Sequence, residues 1–178
     1  ILVFHPETFL SLKKNIKNIK VIIETLKTLK NFSIFVTASN FDTGGKELNN
    51  YLEKQARKNK NFYFFKSLGK KNFLSLLKRS DGIIGNSSSG IIEAPSLKTA
   101  TINLGSRQDG RSKNKNIINS SITKRNIIKS INKIFLKNFK SKLIKNNNEY
   151  EQKNTSKKIF NFLNKLKNKA NNQKIFYE

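Results

Sequence analysis

The chain has 178 residues, the size of one ordinary domain or of half a two-domain enzyme. It is 36% hydrophobic, and its fourteen Phe with many Ile and Leu are enough to build a core, which excludes wholesale disorder. The formal net charge is +25, with no cysteine and a single histidine, so disulfides, zinc–thiolate sites, iron–sulfur clusters, a cysteine nucleophile and multi-histidine metal sites are excluded.

In chain order, residues 2–4 read as a strand ended by His5-Pro6. A helix is expected over residues 12–30, because Ile16, Ile19, Ile22, Ile23, Leu26 and Leu29 recur at spacings of three and four. Residues 32–37 are β-branched and aromatic and read as a strand, and a loop with a Gly-Gly pair follows. Residues 46–58 read as a helix with Leu48, Leu52 and Ala56 on one face, and residues 62–65 as a third strand. Gly69 opens a loop into a helix over 71–79. A short strand at 82–85, a short helix at 91–97 and a strand at 101–104 follow. Beyond Gly105 a loop leads to the apolar pair Ile117-Ile118. Thr123 is placed to cap a helix carrying Ile127, Ile128, Ile131, Ile134 and Phe135. Residues 137–154, rich in Asn and Lys, read as a connection. Thr155 is placed to cap a last helix with Ile159, Phe162, Leu163 and Leu166 as its stripe. Residues 1–170 are expected to form one domain and 171–178 a frayed tail.

Strands alternating with helices imply βαβ units. The expected fold class is α/β, a Rossmann-like parallel sheet with helices on both faces. No apolar run approaches the ~20 residues of a membrane helix. The lack of cysteine fits a reducing compartment, and the expectation is a cytoplasmic protein. The chain has no methionine and begins inside an apolar run, Ile1-Leu2-Val3-Phe4, so it is expected to be a piece of a longer protein cut on its N-terminal side.

The charge admits two readings. One is nucleic-acid binding. The other is a composition bias towards Lys, Asn, Ile and Phe, as in Lys145-Asn146-Asn147-Asn148. Only five of the 36 basic residues are Arg, the residue that base readout usually recruits, which favours bias over a specific nucleic-acid partner.

The unusual residues fall after strands: His5-Pro6, residues 40–45, residues 67–69, residues 86–90 and residues 105–111. In a parallel sheet these segments share the carboxyl edge, where doubly wound folds bind ligands. Polar, Gly-rich loops are common there, but side chains suited to one ligand in all five are less so. In Gly85-Asn86-Ser87-Ser88-Ser89-Gly90-Ile91-Ile92-Glu93, small residues let the backbone approach a ligand, and free N–H groups with three hydroxyls suit an anion. A plain helix cap is the alternative for the serines. Glu93, read as lying in the first helical turn, suits the helix dipole and two ribose hydroxyls; a surface carboxylate is the alternative. Arg107 and Arg111, four apart, are placed to fork around a diphosphate, or to lie in a solvated loop paired to Asp109. His5 is placed to hydrogen-bond a phosphate or transfer a proton, although a lone histidine is usually structural.

Gly85-Asn86-Ser87-Ser88-Ser89-Gly90-Ile91-Ile92-Glu93-Ala94-Pro95, Ile102-Asn103-Leu104-Gly105 and Arg107-Gln108-Asp109-Gly110-Arg111 resemble the C-terminal half of the hydrolysing UDP-N-acetylglucosamine 2-epimerases, on the sialic- and legionaminic-acid branch. His5-Pro6 and Ser39-Asn40-Phe41-Asp42 match the family in order and spacing. The resemblance implies the second half of a two-domain glycosyltransferase-B type fold. It implies elimination of UDP to a 2-acetamidoglucal, then addition of water with inversion at C2, with no metal or redox cofactor. It implies that His5 assists UDP departure and Asn40 lines the nucleotide site. The backbone at Ser67 and Leu68 would contact uracil, Ser87, Ser88 and Gly90 would line the phosphates, Glu93 would hold the ribose, and Arg107, with Arg111 in the same motif, would hold the nucleotide.

Two departures stand out. The family's Tyr-Gly-Asp-Gly is replaced by Tyr150-Glu151-Gln152-Lys153. The family's catalytic carboxylates belong to the other half, so this piece alone is expected to bind UDP without turnover and to expose the apolar surface that meets its own N-terminal domain. The implied partners are UDP-N-acetylglucosamine or a UDP-diacetamido-trideoxy sugar and, by family habit, a second copy in a homodimer. A glycosyltransferase of the same fold is the runner-up, since fold alone does not fix chemistry, and a basic nucleic-acid-binding domain comes third.

Overall fold

A computed structural model describes residues 1–111, 114–145 and 147–167. The tail expected to fray, 171–178, lies outside the described residues. The chain divides into two compact units, Ile1–Asn148 and Glu149–Glu178.

In the first unit, six short strands form one sheet. They are β1 (Leu2–Val3), β2 (Ile34–Thr37), β3 (Phe62–Phe65), β4 (Gly82–Gly85), β5 (Ala100–Leu104) and β6 (Ile117–Ser120). All pairings are parallel and the order is β3-β2-β1-β4-β5-β6. The helices are α1 (Leu12–Leu26), α2 (Gly45–Lys58), α3 (Gly69–Arg79), α4 (Ser89–Ile92), α5 (Lys124–Ile134) and α6 (Lys137–Ile144). The second unit contains α7 (Thr155–Lys167).

Side-chain alternation along the strands sends residues to two cores. On one face Leu2, Phe4, Val36, Ile84, Ile102 and Leu104 pack with residues of α1, α2, α5 and α6. On the other, Ile1, Val3 and Ile83 pack with Leu77 of α3 and with Ala94 beyond α4. Helices therefore cover both faces. The sheet and its helices form the expected Rossmann-like α/β arrangement.

Several elements differ from expectation. The first helix stops at Leu26, four residues early: the Thr25 hydroxyl donates back to the Val21 carbonyl and Thr28 to that of Thr25, which competes with helix propagation. Leu29 still packs on the core. The apolar pair at 117–118 belongs to a sixth strand, whose polar second half, Asn119-Ser120, lies at the sheet edge and hides the pattern. The stretch expected to be only a connection, 137–154, contains α6, anchored by buried Phe139. The helix expected at 91–97 is a four-residue α4 followed by turns, because Pro95 has no N–H to continue the ladder. Thr123 caps α5 as expected, accepting from the Asn126 N–H at 3.3 Å. Thr155 does not cap α7: it is the first helical residue, and its hydroxyl donates to the Gln152 carbonyl at 2.9 Å.

Candidate functional site

The order of strands reverses between β1 and β4, which are paired. The chain leaves β1 through α1 on one face and leaves β4 through α4 towards the other. The two exit loops therefore part, and a crevice opens at the carboxyl ends of these strands.

His5 and Asn86 are the first residues of those loops to carry chemistry. Asn86 is fully buried, and its side chain clamps the His5 backbone: Oδ1 accepts the His5 N–H at 2.7 Å and Nδ2 donates to the His5 carbonyl at 2.8 Å. The His5 ring is held from the β2 loop. The Asn40 N–H donates to Nδ1 at 3.0 Å, and Ser39 Oγ lies 3.4 Å from the same nitrogen. Nδ1 is thus an acceptor, so the ring proton of the neutral form sits on Nε2. Burial, the main cause, and the Arg107 guanidinium push the His5 pKa down to about 4, while Asp42 opposes them. At neutral pH His5 is an uncharged donor through Nε2.

From the β5 loop, Gln108 is buried and donates through Nε2 to the Asn86 carbonyl at 2.8 Å. Arg107 Nη1 donates to the same carbonyl at 3.4 Å, and Nη2 lies 3.8 Å from Asp42 Oδ2. Asn40 Nδ2 donates to that same Asp42 oxygen. His5, Asn40 and Arg107 are therefore brought together, around a pair of residues not expected in the site, Asn86 and Gln108, with Asp42 and Ser39 beside them. Asn86 and Gln108 stood inside the motifs already singled out. What marks them is burial of an amide side chain, which demands hydrogen-bond partners and is visible only in the fold.

Ser87 and Ser88 follow directly. Among the described residues, neither backbone N–H has an acceptor, while Ser87 Oγ accepts the Ser89 N–H at 3.3 Å. Gly90 faces β5, where a Cβ would lie 2.6 Å from Thr101 Cγ2, so its smallness lets α4 pack on the sheet. Glu93 follows the last residue of α4 and is not in a first turn, so the dipole argument does not apply. Among the described residues its Oε2 is nevertheless buried without a hydrogen-bond partner, an acceptor suited to a donor.

The remaining candidates are less integrated. Arg111 is exposed and its backbone N–H bonds the Gln108 carbonyl at 3.4 Å. Among the described residues, Arg107 is the one of the two arginines with a contact to the Asn86 cluster. Ser67 and Leu68 sit at the same sheet edge but after β3, the outermost strand, two strands from β1. Ser67 Oγ accepts the Gly69 N–H at 3.2 Å. An apolar cavity of about 460 Å³ lies at the opposite, amino edge, against Leu29, Phe32, Leu76, Ile134 and Phe135. None of the site residues lines it. Among the described residues no cluster of His, Asp and Glu is placed to hold a metal, and no helix is long and apolar enough to cross a membrane.

Residues 1–164 match the family described as UDP-N-acetylglucosamine 2-epimerase. The chain belongs to this family. Among curated relatives of this epimerase-family chain is the GDP/UDP-N,N'-diacetylbacillosamine 2-epimerase (hydrolyzing) of Campylobacter jejuni, 40% identical over 141 residues, which are 79% of this chain and 36% of that protein. Another is the polysialic acid biosynthesis protein P7 of Escherichia coli, 38% identical over 133 residues, covering 74% of this chain and 34% of that protein. The chain thus spans about a third of the length of these relatives. Among solved structures, the S. aureus MnaA–UDP complex superposes with a TM-score of 0.73 at 15% identity, covering 99% of this chain and 47% of that one. The Methanocaldococcus jannaschii UDP-GlcNAc 2-epimerase superposes with a TM-score of 0.68 at 21% identity, covering 92% and 44%. These two likenesses carry the fold.

Proposed function

We propose that this chain is the nucleotide-binding half of a hydrolysing UDP-sugar 2-epimerase. The observation that carries this reading is the convergence of His5, Asn40 and Arg107 at the switch point between β1 and β4, where the Asn86 side chain holds the His5 backbone, the Asn40 N–H holds the His5 ring and Arg107 meets the Asn86 carbonyl. One neutral donor and one fixed positive charge, with the N–H groups of Ser87 and Ser88 alongside, suit a diphosphate. Glu93 Oε2 would accept a ribose hydroxyl, which supplies the donor this buried oxygen lacks.

In the reaction, the C1–O bond to the diphosphate breaks as a base removes the C2 proton. The electron pair of the C–H bond becomes the glycal double bond, and the C1–O pair leaves with UDP. Water then adds across the double bond with inversion at C2. Arg107 stabilises the charge that develops on the departing diphosphate, and His5 Nε2–H donates a hydrogen bond to it. With its pKa near 4, His5 acts as a neutral donor and not as a proton source at neutral pH. The proton-abstracting groups belong to the rest of the enzyme, so this chain by itself would bind UDP and turn nothing over. Arg111, Ser67 and Leu68 retain the nucleotide contacts first expected of them, as weaker contributors.

The test uses the full-length enzyme with UDP-N-acetylglucosamine and a UDP-diacetamido-trideoxy sugar. Release of free UDP and a 2-epimeric sugar without any acceptor is the expected result, and strict dependence on an acceptor defeats it in favour of a glycosyltransferase. Glu93→Ala should weaken UDP about tenfold, one charge-assisted hydrogen bond's worth, and leave salt-sensitive polyanion binding in place. The opposite pattern favours a nucleic-acid-binding domain.

A further inference from the structure

We propose that Glu7 is a positioning residue that sets Arg107 for the diphosphate, an inference that rests on the UDP reading above. Glu7 is a buried carboxylate two residues beyond His5, in none of the motifs discussed. Its Oε2 accepts the Ser106 hydroxyl at 2.7 Å, across 99 residues of sequence. Its backbone is equally fixed: the Glu7 N–H donates to Asn15 Oδ1 at 2.9 Å, and Asn15 Nδ2 donates back to the Glu7 carbonyl at 3.1 Å. Asn15 is itself buried on α1, the helix that packs against α5 and α2. The carboxylate is thus tied to the rigid part of the fold and reaches out to the β5 loop.

The contacts close into a ring. The Asn86 side chain grips His5, and the Asn86 carbonyl takes Gln108 Nε2 at 2.8 Å and Arg107 Nη1 at 3.4 Å. One residue before Arg107, Ser106 hangs on Glu7, which leads back along the chain to His5. Loop 105–108 is therefore held at both ends, by Glu7 and by Asn86, and Arg107 is carried between them. Gly105 fits this arrangement. Its φ is +76°, and a Cβ there would lie 2.4 Å from Glu7 Oε1, so a side chain at 105 would push the carboxylate off the serine. A guanidinium on a loop fixed at both ends loses little freedom when it meets an anion, and this is how Glu7 acts on binding without touching the ligand.

The experiment measures UDP affinity by calorimetry in the full-length enzyme. Glu7→Ala and Ser106→Ala are each expected to weaken UDP about tenfold, while Glu7→Gln, which still accepts the Ser106 hydroxyl, stays within about threefold. In an Arg107→Ala background, Glu7→Ala is expected to cost less than about twofold, because what it positions is gone. A full tenfold loss in that background, or Glu7→Gln as damaging as Glu7→Ala, overturns the proposal. Should Glu7→Ala fail to fold, Ser106→Ala, which removes one hydroxyl at an exposed position, carries the same comparison. Hydrogen exchange of the 105–111 peptide is read alongside, without ligand. It should quicken about tenfold in Ser106→Ala and Glu7→Ala. Unchanged exchange refutes the role of Glu7 whatever UDP does, whereas quickened exchange in the two variants of an enzyme whose wild type ignores UDP refutes only the nucleotide reading.

Discussion

Titrating His5 by NMR should give a midpoint near pH 4 and not near 6.5. Burial is the largest cause, the Arg107 guanidinium adds to it, and Asp42 offsets part of it. Hydrogen bonding points the same way, since Nδ1 must give up the Asn40 N–H at 3.0 Å before it can take a proton. At about 1.4 kcal/mol per pH unit, a displacement from 6.5 to about 4 is worth at most about 3 kcal/mol. Solvent at the partly exposed ring reduces this to about 2 kcal/mol. The sign follows from proton counting. Between pH 4 and 6.5 the unfolded chain binds a proton that the folded chain refuses, so folding stability rises with pH across that window. The contribution is complete above 6.5 and is lost as pH falls through about 4. Comparison with His5→Gln identifies the resonance. Urea unfolding at pH 7 and pH 4.5 should show a pH dependence smaller by about 2 kcal/mol in His5→Gln than in wild type. Adding UDP should raise the midpoint, because a nearby anion favours the imidazolium. A midpoint within about half a unit of 6.5, or an unchanged pH dependence in His5→Gln, would refute the reasoning.

Asn86→Ala removes both clamps on the His5 backbone and leaves its N–H and carbonyl unpaired. Stability should drop by about 2–4 kcal/mol, or about 6–12 °C in thermal melting, and a change below about 2 °C contradicts the clamp. Phe139→Ala empties the buried anchor of α6, and equilibrium unfolding should register about 3–5 kcal/mol; a loss under about 1 kcal/mol would mean that the helix is not held by this side chain. Arg107→Ala should weaken UDP at least about tenfold and Arg111→Ala less than about threefold by calorimetry, since of the two arginines it is Arg107 that reaches the Asn86 carbonyl; equal losses would support the two-arginine fork instead.

Much of the fold was legible because its signals are local. The repeat of Ile19, Ile22, Ile23 and Leu26 marks a helix, and the run Phe62-Tyr63-Phe64-Phe65 marks a strand, whatever surrounds them. Where local signals compete, the boundaries moved: Thr25 and Thr28 shortened α1, and Pro95 cut α4 to four residues. Strand β6 and helix α6 escaped because each is short and half polar, and each is held by neighbours distant in sequence, β5 in one case and the core around Phe139 in the other.

The candidate site divides in the same way. Chain order alone put His5, Asn40, residues 86–90 and Arg107 at strand ends, and a parallel sheet brings strand ends to one edge. Which of them meet was decided by the strand order β3-β2-β1-β4-β5-β6, which sets β1 beside β4 and leaves Ser67 two strands away. The histidine was visible as a residue, but its charge state was not, because burial, Arg107, Asp42 and the Asn40 N–H act on it from other loops. Asn86, Gln108 and Glu7 show the limit most plainly. A polar side chain looks the same in sequence whether solvent or protein surrounds it, and only packing obliges it to find a partner in the chain.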